Sequence, residues 1–114
     1  MSHQARKRFG QNFLVDAQIV SRIVSTISPK KSDDIVEIGP GKGALTFPLL
    51  EHLDHLSVIE IDRDLISCLK SKKQDKLTIY EADALKFNYG LISNNLRIVG
   101  NFCERKMSSG KSYF

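Results

Sequence analysis

Glu37 lies two residues before the cluster Gly39-Pro40-Gly41-Lys42-Gly43, Glu60 falls 21 residues beyond Gly39, and Asp83 closes a third apolar run. Glycines placed after an extended segment let the backbone turn sharply and let a ligand approach the bare main chain. A carboxylate at Glu60 can accept hydrogen bonds from both hydroxyls of a ribose, and one at Asp83 can accept from the amino group of an adenine. Alone, either acid reads as a solvated strand end or a helix cap. Glycine turn, ribose acceptor and adenine acceptor together describe an adenosine-containing ligand.

Gly39, Gly41 and Ala44 satisfy the G-x-G-x-x-G/A pattern, so a nicotinamide dinucleotide and an oxidoreductase must be weighed. Glu37 argues against them, because it would stand where the dinucleotide places its anionic pyrophosphate. S-adenosylmethionine carries a sulfonium and an ammonium instead, both favoured by a nearby carboxylate. Asn101 ends a fourth apolar run, where its side-chain oxygen and main-chain carbonyl could hold a substrate amine. Taken alone, it reads as a turn residue.

The elements that must position these residues follow from periodicity. Asp16 caps a predicted helix carrying Ile19, Val20, Ile23, Val24 and Ile27, which Pro29, Lys30 and Lys31 end. Asp34–Ile38, Leu56–Ile61, Leu77–Tyr80 and Leu96–Gly100 read as strands. Between them stand a helix from Ala44 to about Leu53, with Pro48 in its first turn or so, a helix capped by Asp62, and a short segment around Leu91 and Ile92. This alternation predicts an α/β fold with a doubly wound parallel sheet and helices on both faces. Ligands of such sheets sit beyond the carboxyl ends of the strands, where the strand order reverses.

The chain has 114 residues, room for one small domain of marginal stability, with 41% hydrophobic and 26% charged residues, an ordinary balance that excludes wholesale disorder. No apolar run approaches a membrane span, and no apolar stretch of a secretory signal follows the basic start, so the chain reads as cytoplasmic. Its net charge of +4 is uneven: residues 1–30 carry +4, residues 31–100 carry −2 and the stretch from Asn101 carries +2. Such a basic arm fits contact with a polyanion, although Arg6, Lys7 and Arg8 read equally as a solubilising tail. Cys68 and Cys103 read as unpaired thiols, and His52 and His55 as solvated loop residues without further metal ligands.

Arg6-Lys7-Arg8-Phe9-Gly10-Gln11-Asn12-Phe13-Leu14, Val36-Glu37-Ile38-Gly39-Pro40-Gly41, Val58-Ile59-Glu60-Ile61-Asp62-Arg63-Asp64 and Ala82-Asp83-Ala84 closely resemble the bacterial small-subunit rRNA adenine dimethyltransferases. These group with the erythromycin-resistance methylases and the eukaryotic and mitochondrial dimethyladenosine transferases. The likeness runs from about Gln4 to Asn101, well under half of a typical member. It implies a Rossmann-like S-adenosylmethionine-dependent methyltransferase fold, with dimethylation of two adjacent adenines near the 3′ end of small-subunit rRNA in a precursor particle. By the same resemblance, Gln11, Asn12 and Leu14 close over the cofactor. Gly39 and Gly41 pass its methionine portion near Glu37, Glu60 holds the ribose, Ile61 packs on the adenine, and Asp83 and Ala84 meet its polar edge. Arg6, Lys7 and Arg8 then contact rRNA phosphates, with Asn101 catalytic and neither metal nor membrane involved.

The family places Asn-Leu/Ile-Pro-Tyr at the end of the fourth strand. Here the chain reads Asn101-Phe102-Cys103-Glu104, without the proline and the stacking tyrosine. So abrupt a departure points to a truncated or frameshifted reading frame with impaired activity, or to a non-catalytic RNA- or ribosome-binding fragment. The expected division is an arm at 1–14, a partial methyltransferase domain at 15–101 and a divergent, disordered tail at 102–114. A sheet stopping at the fourth strand would leave Leu96, Ile98 and Val99 on an exposed apolar edge, a site of aggregation for an otherwise monomeric chain.

Overall fold

A computed structural model describes residues 16–100 and the backbone of Lys111–Ser112. Helix α1 (Ala17–Ile27) begins where the Asp16 carboxylate accepts from the backbone N–H groups of Gln18 and Ile19, and it buries Val20, Val24 and Ile27. It stops at Ser28, which takes a left-handed conformation with φ 50° and donates its N–H to the Val24 carbonyl. The chain then lays down β1 (Asp34–Ile38), α2 (Thr46–Leu50), β2 (Leu56–Glu60), α3 (Arg63–Lys70), β3 (Leu77–Glu81) and β4 (Leu96–Gly100). A two-residue β5 (Lys111–Ser112) follows. Asp62 caps α3 by accepting from the N–H groups of Asp64 and Leu65 at 2.8 and 3.2 Å.

All strands are parallel, in the order β3-β2-β1-β4-β5. The chain runs outward from β1 to β3 and then returns to β4 on the other side of β1, so the order reverses between β1 and β4. Ile38 pairs with Ile59 on one side and Gly100 on the other, which brings the carboxyl ends of three strands to one level.

Two departures from the sequence reading concern the sheet's faces. Both are covered, but the described helices share one of them. Val20, Val24 and Ile27 of α1, Leu49 and Leu50 of α2, and Leu69 of α3 pack with Ile35, Val58 and Val99. On the opposite face Val36, Ile38, Ile59, Leu96 and Ile98 lie beneath Tyr80, Ala82, Ala84, Phe87, Tyr89 and Ile92. The third crossover is therefore not an α-helix. It holds a single 3₁₀ turn, Tyr89–Leu91, because Asn88 turns back on the Gly90 N–H and aromatic side chains fill the space a helix would occupy. The second predicted helix also shrinks to Thr46–Leu50, with Pro48 its third residue, still in the first turn, where a missing N–H costs least.

The apolar edge is corrected as well. Arg97 and Ile98 of β4 register with Lys111 and Ser112 of β5, and Leu96, Ile98 and Val99 are buried. At the opposite end of the strands the Arg97 guanidinium donates to Asp33 at 2.7 Å and to the Ile27 carbonyl, tying β4 to the end of α1. No helix among the described residues is long and apolar enough to cross a membrane.

Candidate functional site

The glycine turn is held from two sides. Gly39 donates to the Ile59 carbonyl at 3.0 Å, extending the β1–β2 ladder, and Gly43 donates to the Pro40 carbonyl at 3.0 Å. Gly41 has φ +60° and a Cβ there would meet nothing within 4 Å among the described residues, so open space lies beside bare backbone there. Gly43 is different. With φ +94°, its missing Cβ would fall 2.2 Å from the Phe47 ring, so this glycine serves the packing of α2 on the loop.

Glu60, at the tip of β2, is buried. Its Oε2 accepts from the N–H groups of Ile61 and Asp62 at 3.1 and 3.0 Å, and its Oε1 accepts from Gly41 at 3.4 Å. The carboxylate therefore bridges the second strand tip to the turn after the first. The sequence reading assigns Glu60 to a ligand alone; in the structure it also orders its own loop. The long Gly41 bond leaves Oε1 with capacity for a hydroxyl donor.

Glu37 is wholly buried on the helix side of the sheet. Its Oε1 accepts a 2.6 Å hydrogen bond from the Thr46 hydroxyl, while Oε2 is buried with no partner among the described residues. Desolvation pushes the Glu37 carboxyl up to about 7; the Thr46 bond opposes this, and the nearby charge of Glu60 adds to it. The charge argument against a pyrophosphate thus concerns a buried group near half ionisation at neutral pH, not a solvated anion.

Asp83 stands two residues past the end of β3. The ladder reaches that point because Ala82 donates to the Glu60 carbonyl at 3.1 Å. Asp83 Oδ1 accepts from the Leu85 N–H at 2.9 Å, and Oδ2 accepts no hydrogen bond among the described residues. The Tyr89 hydroxyl donates to the Ala84 carbonyl at 2.7 Å, and the rings of Tyr80, Phe87 and Tyr89 follow one another with centroids 5.0 and 5.2 Å apart. Burial, reinforced by the Asp83 charge, raises the Tyr89 hydroxyl above its ordinary range and keeps it protonated as a donor. This aromatic chain pins the loop that presents Asp83 and Ala84. Ile61 lies exposed beside Glu60, an apolar surface next to the acceptors.

The structure thus joins Glu37, Gly39, Gly41 and Glu60 at neighbouring tips, with Ile61 next to Glu60 and Asp83 and Ala84 just past the end of β3. Arg6, Lys7, Arg8, Gln11, Asn12, Leu14 and Asn101 lie outside the described residues, as does the tail except for β5. Thr46 and Tyr89 join the site only in the structure. A lone threonine at the head of an apolar helix carries no sequence signal; Tyr89 could have been found from the Tyr80, Phe87, Tyr89 spacing.

A groove of about 730 Å³ runs along α1 and α2, bounded by Ala44 at the glycine-loop end and His52 at the other, on the helix layer rather than at the strand tips. Among the described residues no group of three potential metal ligands is present. The site residues fit an adenosine-bearing cation better than a phosphate: Glu37, Glu60 and Asp83 bring acceptors to the strand ends, the exposed Ile61 adds an apolar surface, and Glu60 reaches the bare backbone at Gly41.

The family described as "Ribosomal RNA adenine dimethylase" matches residues 2–110. The "Ribosomal RNA small subunit methyltransferase A" of Methylobacillus flagellatus is 59% identical over 102 residues, covering 89% of this chain and 40% of the relative. Among solved structures, the 23S rRNA methyltransferase ErmE superposes with a TM-score of 0.67 at 26% identity, over 75% of this chain and 35% of that one. A dimethyladenosine transferase from Plasmodium falciparum gives 0.65 at 30% identity, over 75% and 32%. The chain spans about two fifths of the length of the curated relatives it matches.

Proposed function

The chain belongs to the ribosomal RNA adenine dimethylase family, with the Rossmann-like fold of S-adenosylmethionine-dependent methyltransferases, and from that premise we propose that its strand tips form the cofactor-binding half of an rRNA adenine-N6 dimethyltransferase. The observation that carries this reading is the Glu60 carboxylate, buried at one strand tip and bonded to the glycine turn of the next. S-adenosylmethionine, when bound, supplies an electrophilic methyl group on a positively charged sulfur. Glu60 Oε1 takes the ribose hydroxyls, Ile61 packs on the adenine, and Asp83 Oδ2 with the Ala84 backbone meets its polar edge. Gly41 leaves room for the amino-acid portion, and Gln11, Asn12 and Leu14 close over it.

The substrate is adenine N6, whose lone pair is delocalised into the ring, so positioning supplies much of the rate. Asn101 offers two acceptors that favour a more tetrahedral nitrogen, and Arg6, Lys7 and Arg8 contact phosphates of small-subunit rRNA in a precursor particle. In sequence, Phe102-Cys103-Glu104 offers no tyrosine to stack the splayed base and has a glutamate at the tyrosine's position. Binding of cofactor with weak methyl transfer is the resulting expectation.

Calorimetric titration with S-adenosylmethionine and with NAD tests the cofactor assignment. Binding of the first alone, weakened about tenfold or more in Glu60→Ala, is expected; failure to bind S-adenosylmethionine, or binding of NAD in its place, overturns the reading. Labelled cofactor on unmodified small-subunit particles tests the transfer step, where dimethylation at a full enzyme's rate would refute the impairment.

A further inference from the structure

The Glu37 carboxyl has one oxygen engaged by Thr46 and one enclosed without a partner. A buried acceptor left unsatisfied is destabilising, so a ligand that brings a donor to it is favoured. Of the two cationic groups on the proposed cofactor, only the ammonium has N–H bonds to give; the sulfonium has none. Resting on the cofactor reading above, we propose that Thr46 is a positioning residue that occupies one oxygen of Glu37 so that the other is kept for the ammonium of the amino-acid portion, whose arrival displaces a proton from the Glu37 carboxyl. The O–H bond of the acid breaks, its proton passes to the buffer, and the freed carboxylate accepts from the ammonium.

The surroundings support this exchange. On the flanking strands Glu37 registers with Val58 and Val99, and from the helix layer on that side α2 brings the Thr46 hydroxyl to it, its one hydrogen-bond donor among the described residues. Glu60, at the tip of β2, is the charged group that acts on it, and it disfavours a second anion. Lys42 of the glycine loop points to solvent. A free chain in this state holds the carboxyl largely protonated below neutrality, and an incoming cation reverses the balance.

Calorimetry of the full chain in buffers of different ionisation enthalpy reads the protons released per ligand bound. With the carboxyl at about 7 in the free chain and ionised in the complex, S-adenosylmethionine should release about 0.9 proton at pH 6 and about 0.5 at pH 7, and should bind about fivefold more tightly at pH 7. S-adenosylhomocysteine, which keeps the ammonium, should do the same; 5′-methylthioadenosine, which lacks it, should release none. Thr46→Val should shift the release profile to higher pH, since the lost bond is one that lowers the acid, and Thr46→Ser should restore it. Glu37→Gln should bind without proton release, and thermal melts of each variant establish that it is folded. Binding of S-adenosylmethionine without proton release at pH 6, or equal release by 5′-methylthioadenosine, overturns this proposal while leaving the cofactor assignment intact. A Thr46→Val profile identical to the parent's removes Thr46 from it. Absence of any binding overturns both.

Discussion

Replacing Glu37 by glutamine should make the cofactor-free chain more stable at alkaline pH. In the folded chain the carboxyl sits at about 7 against 4.5 for an ordinary glutamate. Below 4.5 both folded and unfolded chains hold the proton. Between 4.5 and 7 the folded chain keeps a proton the unfolded chain has lost, so stability falls as pH rises, and the loss is complete above 7. At 1.36 kcal/mol per pKa unit the full loss is about 3 kcal/mol, of which about 2.5 kcal/mol falls between pH 5 and 8. Glutamine has no charge to bury and still offers Thr46 an oxygen, so it escapes this loss. Urea unfolding followed by circular dichroism, on both chains at pH 5 and pH 8, isolates the effect, because every other titrating group cancels in the comparison. The stability gap should shift by about 2.5 kcal/mol in favour of glutamine, or roughly 10–20 °C in Tm for a domain of this size. A gap unchanged between the two pH values would refute the placement of an ionisable, desolvated acid behind the glycine turn.

Two glycines of one loop should fail differently. Gly43→Ala pushes a methyl into Phe47 and within 3.2 Å of Leu69 at an unfavourable φ, and should cost about 2–4 kcal/mol in thermal or denaturant unfolding. Gly41→Ala meets no neighbour and should cost only about 1 kcal/mol, yet it should weaken S-adenosylmethionine binding by filling the open space; the reverse pattern would misassign the ligand side of the loop. Tyr89→Phe removes the bond to the Ala84 carbonyl and should lower stability by about 1 kcal/mol and cofactor affinity a few-fold in calorimetry, an unchanged affinity indicating that the rings alone hold the loop.

The strands were legible because each is a short run rich in β-branched residues bounded by turn residues, and a parallel sheet buried on both faces demands such runs. Asp16 and Asp62 were legible as caps because a short acidic side chain before an apolar repeat has few other uses. Ser28 was not, since its left-handed turn at the end of α1 is one that glycine usually supplies. The segment from Ala82 to Ile92 misleads in another way. Its apolar residues cover the sheet as surely as a helix would, but through two rings and a 3₁₀ turn, a solution set by tertiary packing and invisible to periodicity. At the strand tips, residue types singled out Glu37, Glu60 and Asp83 as candidates, while burial, which decides what Glu37 can do, is a property of the assembled sheet.

The two ends of the sheet divide stability from function. At the amino ends, Asp33 accepts from the Lys30 N–H and from Arg97, and its carboxyl is held below the ordinary range by that backbone bond and by the guanidinium. Arg97 also satisfies the last carbonyl of α1, and Ser93 donates to Asp34, so polar groups there meet partners within the chain. The carboxyl ends are the reverse: three glycines at positive φ, a buried acid with an orphan oxygen and an exposed isoleucine occupy a few neighbouring positions. The orphan acceptor and the exposed isoleucine lower the stability of the free chain, and an adenosine-bearing cation can relieve both by donating to the acid and covering the isoleucine. The cost is therefore placed where a ligand can offset it, and binding should stabilise this end of the sheet more than the other.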